Sequence, residues 1–336
     1  PPDLQEIFTH MKDENVEYCA MEVSSHGVDF HRVAGLDYEV GVWTNFSQDH
    51  LDWHKTMENY RKAKLRWFHT VDEDKHVAVN VDDPNADFFK DAARAEIVTY
   101  GIENPADVTA KNINFTGSGT EFTLITPKGE IDVNGKLRGR FNLYNMLAAV
   151  TAVLRTPLTL DEIKYGLEQE IVVAGRFQPV DRGQDFSVIV DYAHTPDGLV
   201  KVLNAARAIN PSRIITVFGC GGDRDRGKRP KMAAIAEELG DYCIVTDDNP
   251  RTEDPVQITD DIVAGFKDKS GEKNEIIHDR RKAFERAIDM AEHGDLILIP
   301  GKGHETTQTL KDKTIHFNDF EVADEILAEK MGQQKK

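Results

Sequence analysis

The chain has 336 residues, 40% of them apolar and 30% charged, with a formal net charge of −18 at pH 7. That length favours two domains with sizeable cores, and the acidic balance excludes a nucleic-acid footprint, which needs a basic patch to release counterions. Cys19, Cys220 and Cys243 are odd in number and lack metal-ligand spacing, so they suit a reducing cytoplasm rather than a disulfide framework; no apolar run is long enough to span a bilayer or to form a secretory leader.

The chain opens at Pro1-Pro2 without an initiator Met, and is expected to be a piece of something longer. Tyr18–Val23, Val40–Asn45 and Val77–Val81 read as buried strands, with helical patterns between the first and last of them. Residues 108–133 alternate with Gly and Pro turns, which predicts a small antiparallel excursion. Residues 142–155 are helical in pattern, with Leu143, Met146, Leu147 and Val150 on one stripe. The domain boundary is expected near Val173-Ala174-Gly175.

Beyond it, Val188–Asp191, Ile214–Phe218, Cys243–Thr246, Glu275–His278 and Leu296–Pro300 are short apolar strands, most followed by roughly 10–15 residues of helical periodicity. Alternation of this kind predicts parallel βαβ units with right-handed crossovers, an α/β fold. A polar tail, Gly332–Lys336, closes the chain.

The chemistry-bearing residues fall at the predicted strand ends. Glu22-Val23-Ser24-Ser25-His26-Gly27 ends the first run in a carboxylate and a polar turn, and Asn45-Phe46-Ser47-Gln48-Asp49-His50-Leu51-Asp52 follows the second with two acids and a histidine. Two adjacent strand ends with Glu and His suit a divalent cation over a crevice, although Mg²⁺ prefers oxygen ligands. Tyr60, Lys64, Trp67 and Phe68 share one helical face, where Lys64 reads either as a snorkelling surface residue or as a buried amine with a lowered pKa. Asn142-Leu143-Tyr144-Asn145, Gly175-Arg176-Phe177 and Asp191-Tyr192-Ala193-His194 read singly as a cap, a hinge and a turn. Gly219–Pro230 follows a strand and is glycine-rich, but its spacing is wrong for a dinucleotide fingerprint and its guanidinium groups suit carboxylates or phosphates. Asp247-Asp248-Asn249-Pro250-Arg251 lies where open α/β sheets bind ligands.

Taken with Gly301-Lys302-Gly303-His304-Glu305, the 22–27 and 247–251 segments resemble the Mur ligase family over nearly the whole chain, and Asp-Asn-Pro-Arg matches its diaminopimelate-adding subgroup. The resemblance implies a central P-loop-type ATPase-like domain over residues 1–174, followed by a Rossmann-like, mainly parallel-sheet domain over 175–336. It assigns Glu22, His50 and Lys64, carbamylated to N6-carboxylysine, to catalysis and to Mg²⁺ near the γ-phosphate. Ser24 and Arg32 fall to the UDP-muramoyl dipeptide, and Asn142, Asn145, Arg176, Asp191 and His194 to ATP. Arg224, Asp248, Asn249, Arg251, Gly301 and Glu305 fall to meso-diaminopimelate, with Arg251 reading the extra carboxylate and Glu305 the distal ammonium.

The implied activity is ATP-dependent amide formation on the D-glutamyl γ-carboxylate of UDP-MurNAc-L-Ala-D-Glu, through an acyl phosphate, in cytoplasmic peptidoglycan precursor synthesis. One departure is plain: no G-x-x-x-x-G-K-[ST] phosphate loop occurs in the sequence. The chain is therefore expected to be an amino-terminally truncated ligase that does not turn over alone. A lysine-adding ligase of the same family, a folylpolyglutamate or cyanophycin-type synthetase, and a non-catalytic binding remnant are the competing readings.

Overall fold

The computed structural model describes residues 1–116, 119–169 and 173–334; Lys335 and Lys336, the end of the predicted tail, lie outside the described residues. Strands β1 (Val40–Trp43), β2 (His76–Asn80) and β3 (Glu96–Tyr100) form a parallel sheet in that order. All of β2 is buried, as expected for a central parallel strand covered on both faces. One face packs Trp43, Val77 and Val79 against Phe68, Val71 and Phe89. On the other, Ala78 and Tyr100 meet Leu143, Met146, Leu147 and Val150 of the helix Arg140–Val153, as its apolar stripe predicts. The same helix packs on an antiparallel meander of β4 (Thr109–Thr116), β5 (Gly119–Thr126) and β6 (Gly129–Gly135).

One expected strand is absent. Tyr18–Val23 is irregular and mostly exposed, so Glu22 does not end a strand. An apolar run becomes a strand only beside a partner ladder, and among the described residues β1 has a single neighbour, β2.

The second half is a three-layer α/β unit. Its sheet combines β7 (Gln178–Pro179), β8 (Ser187–Asp191), β9 (Ile214–Phe218), β10 (Tyr242–Val245), β11 (Asn274–Ile276) and β12 (Leu296–Pro300) in the order β11-β10-β9-β12-β8-β7. Every pairing is parallel except β7 with β8. Side chains alternate across it: Leu296 and Leu298 join one core, Ile297 and Ile299 the other. Helices Pro196–Ala208, Arg229–Leu239 and Pro255–Val263 cover the first face, and Arg280–Met290 with Asp319–Gln334 the second. The last helix takes in Gly332–Gln334 of the predicted tail. A hairpin of β13 (Thr307–Thr309) and β14 (Thr314–His316) follows β12. Because β8, β9, β10 and β12 are parallel, the loops that leave them emerge on one edge, and that edge carries half of the predicted site residues.

The second face also contains a buried ion pair. Arg280 donates Nε to Asp319 Oδ1 at 2.8 Å and Nη2 to Oδ2 at 2.6 Å, with both side chains sealed from solvent. Asp319→Asn leaves the guanidinium without its counter-charge, and denaturant unfolding should register a loss of about 3–5 kcal/mol.

Cys220 and Cys243 are buried and Cys19 is exposed. Burial pushes both core thiols up from an ordinary value of 9.0 to about 12. Stability linked to them is therefore complete below pH 9 and declines as the pH rises toward 12, because only the unfolded chain ionises in that window. A C220A/C243A variant should flatten the alkaline decline in melting temperature. At pH 8 a thiol reagent should titrate Cys19 alone in the native protein and all three cysteines in denaturant.

Candidate active site

The loop after β10 is held by backbone geometry. Arg251 adopts a left-handed φ of 52°, donates its N–H to Thr309 O at 3.1 Å, and places Nη1 2.9 Å from Gly222 O. The glycine-rich loop after β9 runs beside it. A Cβ on Gly221 would sit 2.8 Å from Arg251 Nη1 and 3.6 Å from Arg224 Cγ, so the absent side chain is what lets the two arginines flank one point. Arg224 is exposed and donates Nη1 to Asp223 O at 3.1 Å.

The loop after β12 completes this cluster. A Cβ on Gly301 would lie 3.2 Å from Asp248 Oδ2. Asn249 is buried, donates Nδ2 to Glu305 Oε2 at 2.9 Å and accepts from Thr309 N at 2.8 Å. Lys302, fully buried, donates to the same Glu305 oxygen at 3.0 Å and to Thr307 O at 2.6 Å.

The end of β8 meets the interdomain linker. Asp191 accepts N–H bonds from Phe177 at 2.7 Å and Ala193 at 2.8 Å. Burial raises its carboxyl pKa and outweighs those bonds and the nearby Arg176 and His194. Arg176 stacks 4.9 Å from the Tyr192 ring centroid, and Tyr192 lies between His194 and His304 at 4.7 and 4.9 Å. Gly175, at φ 67°, is pressed on the next loop: a Cβ there would fall 2.2 Å from His304 N.

The first half contributes the 45–54 segment and the helix Met57–Phe68. His50 takes a left-handed φ of 57° at the start of the helix Leu51–His54. Its imidazole is 3.6 Å from Asp49, and the ring edges onto His26 at 4.9 Å and Tyr60 at 5.6 Å. Burial lowers its pKa against the attraction of Asp49, with His26 and Lys64 adding to the lowering. Asp49 also lies 3.4 Å from His194 Nε2, which links the two halves. Burial alone would raise the Asp49 carboxyl; the hydrogen bond with His194 and the charges of His50, Lys228 and His194 hold it far below the ordinary range. Gln48 extends this contact, donating to Asp225 at 2.9 Å and accepting from Lys231 at 2.6 Å.

Lys64 is half-buried, with Nζ 5.4 Å from the Tyr60 ring centroid and 5.9 Å from that of Trp43. Among the described residues it has no hydrogen bond or ion pair. Burial lowers its pKa, opposed by Glu22 and Asp49. Ser25 Oγ and His54 Nε2 share a 2.9 Å hydrogen bond, and His54 Nδ1 is 3.6 Å from Asp29. That is the order of a hydrolase triad, but Ser25 is only 1% exposed, so its hydroxyl is a strut and not a nucleophile.

Comparison with known proteins gives this arrangement a family. The Mur ligase middle domain matches residues 1–153, and the Mur ligase, glutamate ligase domain matches residues 175–303. The chain is 44% identical over 338 residues to UDP-N-acetylmuramoyl-L-alanyl-D-glutamate–2,6-diaminopimelate ligase of Bacillus cereus, across 99% of this chain and 68% of that protein. The chain belongs to the Mur ligase family. The ligase of the same name from Geobacillus kaustophilus is 47% identical over 326 residues, covering 95% of this chain and 66% of its own. A solved structure with that enzyme name aligns at 36% identity and a TM-score of 0.57, over 92% of this chain and 64% of that one. A MurF ligase from Thermotoga maritima in complex with ADP shares the fold alone, at 16% identity and a TM-score of 0.68, over 93% of this chain and 66% of its own. This Mur ligase chain thus spans about two thirds of the length of the relatives it matches.

Two groups of expected residues are brought together. Asp248, Asn249, Arg251, Arg224, Gly301 and Glu305 form one cluster; His50 and Lys64 meet around Tyr60, with Glu22 within electrostatic reach. Asn142 and Asn145 bond to each other at 3.2 Å, and their helix reaches the β8 cluster through Phe141 on Phe177 at 6.1 Å. Ser24 caps the helix Ser25–Asp29 by accepting from Gly27 N at 3.0 Å, and Arg32 is exposed over Phe30. Among the described residues no three His, Cys, Asp or Glu side chains gather as a metal site. The residues sequence reasoning missed are Gln48, Asp49 and Lys302. All three stand inside quoted motifs, but each also has a partner from a distant segment: Asp225 and Lys231 for Gln48, His194 for Asp49 and Asn249 for Lys302.

Gly175 supplies a direct test of the linker contact. Gly175→Ala must both hold a positive φ and displace backbone, and should cost more than about 2 kcal/mol in denaturant unfolding. Gly183→Ala, also at positive φ but facing open space, should cost about 1 kcal/mol.

Proposed function

We propose that this Mur ligase chain carries the acceptor-amine site and part of the ATP site of a ligase that joins meso-2,6-diaminopimelate to UDP-MurNAc-L-Ala-D-Glu. The observation that carries the reading is the cluster at the carboxyl edge of the six-stranded sheet. Two arginines flank Gly221, while Glu305 has one oxygen held by Lys302 and Asn249 and the other without a partner among the described residues. A zwitterionic centre needs both signs: a guanidinium for the carboxylate, a carboxylate for the ammonium. Lysine has no distal carboxylate for Arg251 to bind, so diaminopimelate fits better.

Residues 1–174 are proposed as the ATP-binding domain, without a phosphate loop of their own, and 175–336 as the amino-acid-binding domain. ATP is placed between them, with Arg176, Asp191 and His194 on one side and Asn142 and Asn145 on the other. The Asp49 link between His50 and His194 supports an interdomain position. Ser24 and Arg32 remain the proposed contacts to the UDP-muramoyl dipeptide, at an exposed turn.

Glu22, His50 and Lys64 would hold Mg²⁺. A carboxylate, an imidazole with lowered pKa and a bare amine suit that ion poorly. The unpaired Lys64, disfavoured as a cation by burial, would react as the neutral amine with carbon dioxide, losing a proton to become an N6-carboxylate. The set then has two anionic oxygen donors. When bound, Mg²⁺ neutralises charge on the transferring phosphoryl group.

The reaction needs no covalent nucleophile from the protein. The D-glutamyl γ-carboxylate oxygen bonds to the γ-phosphorus of ATP as ADP leaves; the amine then attacks the acyl carbon, phosphate departs and the nitrogen loses a proton. Arg251, Glu305 and Asn249 hold the amine in place, and positioning supplies much of the rate. The cytoplasm is the proposed setting, in cell-wall synthesis with its bearing on cell shape and division. Among the described residues no helix is long and apolar enough to cross a membrane.

Mass spectrometry of the product decides the reading, using the protein as encoded in its source with ATP, Mg²⁺, UDP-muramoyl dipeptide and equal diaminopimelate and lysine. A diaminopimelate adduct alone is expected. A lysine adduct would keep the family and reverse the role of Arg251, and no adduct with either amine would favour a binding-only protein.

A further inference from the structure

A lysine sealed from solvent beside a binding cluster needs a reason, because burying an ammonium is costly unless every donor is met. Lys302 is 0% exposed. Its three N–H donors have three acceptors: Thr307 O at 2.6 Å, Glu305 Oε2 at 3.0 Å and Asn249 Oδ1 at 3.5 Å. Asn249 in turn donates to the same Glu305 oxygen at 2.9 Å and is fixed by Thr309 N at 2.8 Å. Two donors therefore converge on Oε2, and Oε1 has no partner among the described residues. Glu305, unlike Lys302, keeps 36% of its side chain exposed.

We infer that Lys302 is a positioning residue for specificity: it fixes Glu305 by one carboxylate oxygen so that the other is presented to the distal ammonium of the incoming amino acid. The inference rests on the amine-site reading above. A flexible glutamate would have to be ordered each time the amine binds. Here the ordering is built into the fold by a cation that never meets solvent, and the β13 carbonyl of Thr307 completes its coordination. Lys302 touches neither substrate nor phosphate in this scheme. It acts through Glu305 and Asn249.

The test compares diaminopimelate with 2-aminopimelate, which keeps the distal carboxylate and lacks the distal amine. Lys302→Met should raise KM for diaminopimelate about 10-fold or more, by loss of a charged hydrogen bond to Glu305, with a smaller change in kcat. KM for 2-aminopimelate should move little, since it has no ammonium for Glu305 to bind. Glu305→Gln should give the same split, and the double variant should be no worse than the more affected single one. Where Lys302→Met does not fold, Lys302→Gln, with two N–H donors and no charge, is read in the same way. Equal loss toward both amines, or unchanged KM in a folded variant, would overturn the inference. The unsubstituted protein, as encoded in its source, is assayed first with both amines: absence of any product removes the ligase reading itself, whereas product with unaltered discrimination in the variant refutes only the role of Lys302.

Discussion

Three cationic side chains with no solvent exposure, Arg229, Arg280 and Lys302, fix the carboxyl edge of the six-stranded sheet. Arg229 ties the glycine-rich loop to the next one: Nη2 reaches Gly221 O at 3.2 Å and Glu253 at 2.9 Å, while Nη1 reaches Asp261 at 2.8 Å. Arg280 binds Asp319 across two helices and lies 3.4 Å from Asp247 O. Lys302 joins the loop after β12 to Asn249 and to β13. Buried ion pairs contribute little net stability against apolar replacements, yet removing one partner is severe. Here they tie the loops after β9, β10 and β12 to one another and to the elements behind them. Among the described residues Arg229 Nε is buried without a partner.

Against that edge the first half of the molecule makes a contact that is part apolar, with Phe141 packed on the second-half core beside Phe177, and part polar. Asp49 faces His50 within its own segment and His194 across the junction, and Gln48 is bonded to both Asp225 and Lys231.

The sheet of the second half was legible because parallel strands covered on both faces read as apolar runs: Ile214–Phe218 and Leu296–Pro300 occur as expected. Residues 142–155 were legible because a 3.6-residue period needs no partner to be recognised. Tyr18–Val23 failed for the converse reason, since composition does not say whether a ladder is available beside it. The cluster at the sheet edge was legible as motifs, and the resemblance gave Glu305 an expected role, but it gave Lys302 none; the burial of Lys302 and its bond to Asn249, 53 residues away in sequence, exist only in the fold.

The two lysines of the candidate site show how surroundings, rather than residue type, set chemistry. Lys302 has an acceptor for each of its N–H donors and no exposure, so it serves as a fixed positive charge. Lys64 faces the rings of Tyr60 and Trp43, has no acceptor among the described residues, and is disfavoured as a cation by burial. Ring faces attract an ammonium far more weakly than water solvates it, so they do not offset that loss. A lysine with three acceptors is fixed in place by them; a lysine with none has only the rings beside it.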